Sequence, residues 1–226
     1  MAQSALWHHG AVGKWQGWRE DGPTRCEHWN CYLGIHFASR RITAERFASE
    51  AVMMSHNYFQ YVDAWSPSED EVVTARLDIQ NPLVLDQEKQ LDALALAIAL
   101  DTRLIDLEWV GEWATKHYAS FGWPLASLPS MLALLAAQLR DGRLALPTDL
   151  PAKLLKELSC SVPGQQEMAK SLLDALRARG HDGIIYGNVL EGSSSISPYE
   201  PTAICFSHDQ MEVVSVEPHS VQPILA

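Results

Sequence analysis

Apolar positions change their spacing along the chain, from short pieces to helical periods and back. Ala5-Leu6-Trp7-His8-His9-Gly10 is a brief apolar piece closed by a turn-former, and after a loop rich in Gly, Trp and charge comes a second, Tyr32-Leu33-Gly34-Ile35-His36-Phe37. This order predicts strand, long loop, strand. From Thr43 the positions Ala44, Phe47, Ala48, Ala51 and Val52 follow helical spacing, with Glu45 and Glu50 outward and Thr43 in place as N-cap. Val73, Ala75, Leu77 and Ile79 alternate with polar residues, which predicts a half-buried strand ended at Asn81-Pro82 and followed by Leu83-Val84-Leu85. Between Gln87 and Arg179 the pattern is helical, broken at Trp123-Pro124, Asp141-Gly142, Pro147 to Pro151 and Pro163-Gly164. Strands return at Gly183 to Tyr186, Ala203 to Phe206 and Val213 to Val216.

Strand pieces at both ends of the sequence are each too small to bury a sheet face alone, so they are expected to pair with each other. The 226 residues then form one α+β domain. Composition agrees with a globular chain: 47% hydrophobic and 20% charged. A formal charge of −11 works against general binding to phosphate backbones, and the basic runs Arg40-Arg41 and Arg177 to Arg179 read as solvated element ends. The most apolar stretch, Leu91 to Leu100, is interrupted by Asp92 and too short to span a bilayer, so a buried helix is expected there. No segment reads as a secretory signal. The expected location is cytoplasmic, with delivery into another cell or packaging in a virion as the alternative.

Cys26, Cys31, Cys160 and Cys205 show no framework spacing. The cluster Cys26 to Cys31 with His28 offers only three of the four donors a structural zinc needs, so no metal is expected. His8 and His9, adjacent on a strand, point to opposite faces and cannot both enter one site.

Leu6-Trp7-His8-His9-Gly10-Ala11, then Gly34-Ile35-His36-Phe37-Ala38-Ser39, then Ala44-Glu45-Arg46-Phe47-Ala48 stand in the order of an ADP-ribosyltransferase N-terminal half. Arg76 to Val84, Leu176 to Tyr186, Asn188, Glu191-Gly192 and Ala203 to Gln210 extend the likeness over about half the chain, and the helical middle is unmatched. The chain resembles the ADP-ribosyltransferase-like domains of phage polyvalent proteins, distant relatives of diphtheria toxin and the poly(ADP-ribose) polymerases. The resemblance implies two small twisted sheets forming an NAD cleft, built from residues 1–86 and 170–217, with a helical elaboration over 87–169.

It also implies an activity: transfer of ADP-ribose from NAD to a macromolecule with release of nicotinamide, as a toxin, effector or phage-associated modifying enzyme. The NAD-contacting positions carried over are His9, Gly10, Gly34, His36, Phe37, Ser39 and Phe47. His9 takes the place of the family's ribose-binding histidine, and His36 and Phe47 have the spacing of the two aromatics that sandwich nicotinamide. Nicotinamide leaves through an oxocarbenium-like transition state, which a carboxylate stabilises. Glu200 and Glu191 are the two candidates for it: simple counting lands on Thr202, an offset of two keeps Glu200 on the same strand face, and Pro201 disturbs that geometry.

Histidine stacks less well than the tyrosine usual at position 36. A weaker enzyme, a pH-sensitive enzyme and a catalytically inactive module that binds nucleotide or a protein partner therefore all stay open. The acidic balance favours a protein acceptor over nucleic acid, a neutralising or carrier protein is a further expected partner, and a membrane is not. A third alternative makes the helical insert an interaction surface supplied by the chain's eight tryptophans.

Overall fold

A computed structural model describes residues 5–11, 14–17, 29–48, 70–118, 128–140, 152–188 and 200–219. Among these the chain is mixed α and β, with one seven-stranded sheet and six helices. The strands are β1 (Leu6–Ala11), β2 (Ile35–Ala38), β3 (Glu71–Leu77), β4 (Pro82–Leu85), β5 (Gly183–Asn188), β6 (Glu200–Cys205) and β7 (Met211–Pro218). The helices are α1 (residues 41–48), α2 (Glu88–Asp101), α3 (Leu107–Tyr118), α4 (Leu128–Arg140), α5 (Ala152–Cys160) and α6 (Gln165–Ala178). The sheet order is β4-β5-β6-β2-β1-β3-β7.

The expectation of two small sheets is corrected to one continuous sheet. Early and late strands pair, as two fragments unable to cover themselves must: β2 runs antiparallel to β6 and β3 to β7. What joins the four-stranded and three-stranded halves is narrow. Strands β1 and β2 share the single register pair His8↔Ala38, whereas β1 and β3 are paired from Leu6↔Arg76 to Ala11↔Glu71. Gly34 precedes β2 at φ +151, and a Cβ there would lie 1.9 Å from the Cys205 carbonyl oxygen, so only glycine lets β2 start against β6.

The chain falls into two compact units, one of residues 1–21, 34–86 and 182–226 and one of residues 22–33 and 87–181. The expected helical elaboration ended at residue 169, inside what is α6; all of α6 belongs with the helical unit instead, together with the turn Trp29–Leu33. The unit is inserted where the topology demands a long connection. Strands β4 and β5 are parallel neighbours, from Pro82↔Gly183 to Leu85↔Tyr186, and a parallel pair cannot be closed by a hairpin.

Within the helical unit, α2 is apolar all round and buried from Leu91 to Ala99, as its sequence requires. Asp92 lies in that run and is buried too. Its Oδ1 accepts the Trp29 indole N–H at 3.0 Å and the Ser159 hydroxyl at 3.2 Å, which ties the turn and α5 to α2. A break not anticipated from the pattern separates α2 from α3: Arg103 takes a left-handed φ of 59°, and Asp106 then caps α3 by accepting the Trp109 N–H at 2.6 Å. No helix among the described residues is long and apolar enough to cross a membrane.

Candidate functional site

Registers across the sheet unit sort its polar side chains by face. Thr74, His8, Ala38, Thr202 and Tyr186 form one row over five adjacent strands, so their side chains share a face, and His36, Glu200, Asn188 and Gly10 join it by alternation. His9, Trp7 and Phe37 occupy the other face. There Phe37 is fully buried in a core with Ala75 and Cys205, packed by Trp7, Ile35, Leu77, Ile79 and Met211. Full burial of such a ring stabilises the unit by roughly 2–3 kcal/mol, a sufficient reason for an apolar residue here.

His9 and His36 thus carry their rings on opposite faces and meet through the backbone. The His9 Nδ1–H donates to the His36 carbonyl at 2.8 Å, because a carbonyl can only accept, and this fixes the tautomer with Nε2 as acceptor. Burial lowers the His9 pKa, with the hydrogen bond to the His36 carbonyl opposing the shift. Its ring stands edge-on to Trp15 at 5.3 Å and tilted to Phe37 at 5.8 Å. His8, on the His36 face, approaches the Thr74 hydroxyl at 3.1 Å, and burial and the Arg41 charge lower its pKa against Glu45 and Glu217.

His36 meets an aromatic other than the one anticipated from spacing. Tyr186 stands edge-on to it, centroids 6.5 Å apart, with the phenol oxygen 3.4 Å from Nδ1. Phe47, on α1, is exposed.

Helix α1 lies over the His36 face. A Cβ on Gly10 would stand 2.1 Å from the Ala44 carbonyl oxygen and 2.9 Å from the Ala48 nitrogen, so helix backbone rests on β1 there. Gly10 and Gly34, both carried over as NAD contacts, therefore have close-packing roles in this chain. Gly10→Ala is expected to displace α1 and lower stability toward the upper end of the roughly 1–3 kcal/mol typical of overpacking, because both opposing atoms are backbone. Urea denaturation monitored by tryptophan fluorescence measures this.

Glu200 begins β6, three residues earlier than the apolar pattern starts. The strand runs through Pro201, whose carbonyl accepts the Ser39 N–H at 3.0 Å, so the anticipated disturbance does not interrupt pairing, and Ser39 is held beside the start of β6. Glu200 is 3% exposed. Its Oε2 accepts the Thr43 hydroxyl at 2.6 Å, a short charge-assisted bond. Helix α1 starts at residue 41, so Thr43 is no N-cap; its hydroxyl serves the carboxylate instead.

Among the described residues, Glu200 Oε1 and Thr202 Oγ1 are both buried without a hydrogen-bond partner. Two such oxygens on one face are costly unless something supplies donors. Glu200 lies four positions along β6 from Ile204, the residue opposite His36, which is about 13 Å of strand, with Thr202 between. Glu191, the competing carboxylate, lies outside the described residues, as do Cys26 and His28.

Other chemistry is set aside by environment. Burial, then the Asp182 charge, pushes the Cys205 thiol up to about 12, and burial raises Cys160, so neither is a ready nucleophile. Cys31 is disulfide-bonded, which its spacing did not reveal. No group of three or more His, Cys, Asp or Glu that could hold a metal occurs among the described residues.

Tyr186, Asn188 and Thr43 join this face without standing among the candidates the sequence offers. The signal for the first two was present, since Ile184, Tyr186 and Asn188 share one strand face and a buried asparagine there needs a reason. Comparison of the chain with family models, with curated proteins and with solved structures finds no match.

Proposed function

We propose that the chain is an NAD-dependent ADP-ribosyltransferase with its site on the His36 face of the sheet, beside the β1–β2 seam. The observation that carries this reading is Glu200 Oε1, buried and without a partner among the described residues, on the same strand face as Thr202 Oγ1, which is likewise buried and unpartnered there. A carboxylate oxygen accepts a ribose hydroxyl, and a threonine hydroxyl can donate or accept beside it. Those are the groups a ribose needs, and a carboxylate stabilises a ribosyl cation that forms beside it.

In the proposed reaction the bond between ribose C1′ and the nicotinamide nitrogen breaks, and its electron pair leaves with nicotinamide. A nucleophile of the acceptor, a protein side chain, bonds to C1′ and gives up its proton to water. Glu200 stabilises the cation and His36 flanks the nicotinamide. Phe47 supplies the second aromatic face of the slot, while His9, its ring on the opposite face, holds the His36 backbone from behind.

The alternative is a catalytically silent module of the same fold that binds nucleotide or a partner. Two observations favour it: Thr202, uncharged, stands in the row nearer to His36, and Glu200 already spends one oxygen on Thr43. The surface-insert alternative has less behind it, because no described tryptophan of the helical unit is exposed.

The test incubates the protein with NAD labelled in the adenylate portion and a bacterial lysate, following nicotinamide release and label in protein and nucleic-acid fractions. Release with label in the protein fraction is expected. NAD binding by calorimetry without release would replace the transferase with the silent module, and absence of both would remove NAD from the account.

A further inference from the structure

A threonine in the first turn of a helix has two ordinary uses for its hydroxyl, a cap or a bond back to the helix carbonyls. Thr43 makes neither its business. Only 2% exposed, it turns its hydroxyl to Glu200 on a strand 157 residues further along the chain. We propose that Thr43 is a positioning residue for the proposed reaction, holding Glu200 Oε2 so that Oε1 is the oxygen presented to the ribose. The inference rests on the transferase reading of Glu200.

Three features fix the donor. The Gly10 contact seats α1 on β1 at Ala44, the neighbour of Thr43. Arg41, one turn-edge earlier, bridges Glu45 on α1 at 2.8 Å and Glu217 on β7 at 2.7 Å, which ties the start of the helix to the sheet. The Thr43 N–H itself is held by the Arg40 carbonyl at 3.2 Å. The hydroxyl therefore approaches Glu200 from a backbone that is itself pinned. A carboxylate whose Oε2 is held cannot turn about its terminal torsion, which is otherwise broad, and its remaining oxygen keeps one direction. One oxygen is held by Thr43 and, among the described residues, the other has no partner.

Thr43→Val keeps the side-chain shape and removes the donor. Expected is a fall of roughly 10- to 100-fold in kcat for nicotinamide release, the size of losing one hydrogen bond to a charged group, with KM for NAD changed by less than about 3-fold. Thr43→Ser restores most of the rate. Adding Thr43→Val to Glu200→Gln costs little further activity, because the charge being positioned is already gone. Circular dichroism normalises each rate to folded protein. Unchanged kcat in Thr43→Val beside an active wild type overturns the positioning role and leaves the transferase reading standing, as does a loss that merely follows the folded fraction and is not rescued by serine. A wild type that releases no nicotinamide overturns both.

Discussion

Glu200→Gln is expected to reduce nicotinamide release by roughly 10²- to 10³-fold, the loss seen when one electrostatic contact to a developing charge is removed. Glutamine keeps the side-chain shape and an oxygen for the Thr43 hydroxyl, so the change isolates the negative charge. Stability should hold or rise, because a buried carboxylate with an unpartnered oxygen becomes a neutral amide. The measurement pairs steady-state kinetics with urea denaturation on the same preparations. Activity that falls only in proportion to lost folded protein would make Glu200 a brace between β6 and α1. Full activity in a stable variant would move the search to Glu191.

The second large effect concerns the helical unit and pH. Asp92 has its pKa raised to about 7, first by burial and then by the neighbouring Glu88 charge, while the Trp29 and Ser159 hydrogen bonds and Lys156 oppose the shift. Burial also raises Glu88, against its 3.8 Å pair with Lys156. An acid that binds its proton more tightly when folded contributes stability that is fully present below its unfolded pKa. That contribution is lost as pH rises through the folded value. With an ordinary value of 3.8 against about 7, the whole contribution is on the order of 4 kcal/mol, of which about 2–3 kcal/mol falls between pH 8 and pH 5. Asp92→Asn imitates the protonated form, keeping an oxygen for Trp29 and Ser159. The difference in urea midpoint between wild type and Asp92→Asn should therefore shrink from pH 8 to pH 5, with the variant more stable at pH 8. Parallel pH profiles would show that Asp92 does not titrate in this range.

Periodicity made the elements legible where side-chain chemistry and secondary structure make the same demand. Leu91 to Ala99 could only be buried, and the alternation from Val73 to Leu77 could only be a strand. Ends were less legible: β6 begins at Glu200 and Pro201, residues that ordinarily argue against a strand interior, because pairing with β5 and β2 outweighs local preference. The start of α1 departs from the pattern for a related reason: the helix begins at residue 41, and the Thr43 hydroxyl, a good cap, bonds Glu200 instead.

The candidate site was legible as a set of residue types and not as a geometry. Opposite faces for His8 and His9 follow from strand alternation, but which of them joins His36 depends on the register His8↔Ala38. That register is set by strands from distant parts of the chain. The same pairing makes one sheet of what the pattern suggested were two. Tyr186 meets His36 through β6, a strand lying between them, and no local spacing could announce that contact.

Strand order also sets a timetable for a chain made from its N-terminus. β1, β2 and β3 can pair early, but β2 waits for β6, β3 waits for β7, and β4 has no partner until β5 is made. Between Leu85 and Cys205 the ribosome must add residues 87–181 of the helical unit, and the whole interval takes roughly 6–24 s at the usual elongation rates. During that interval a small sheet stands with both edges open, the condition under which strands recruit other chains. The helical unit, whose helices need no late strand, can form meanwhile. The hazard therefore has a duration set by translation, whatever the stability of the finished sheet.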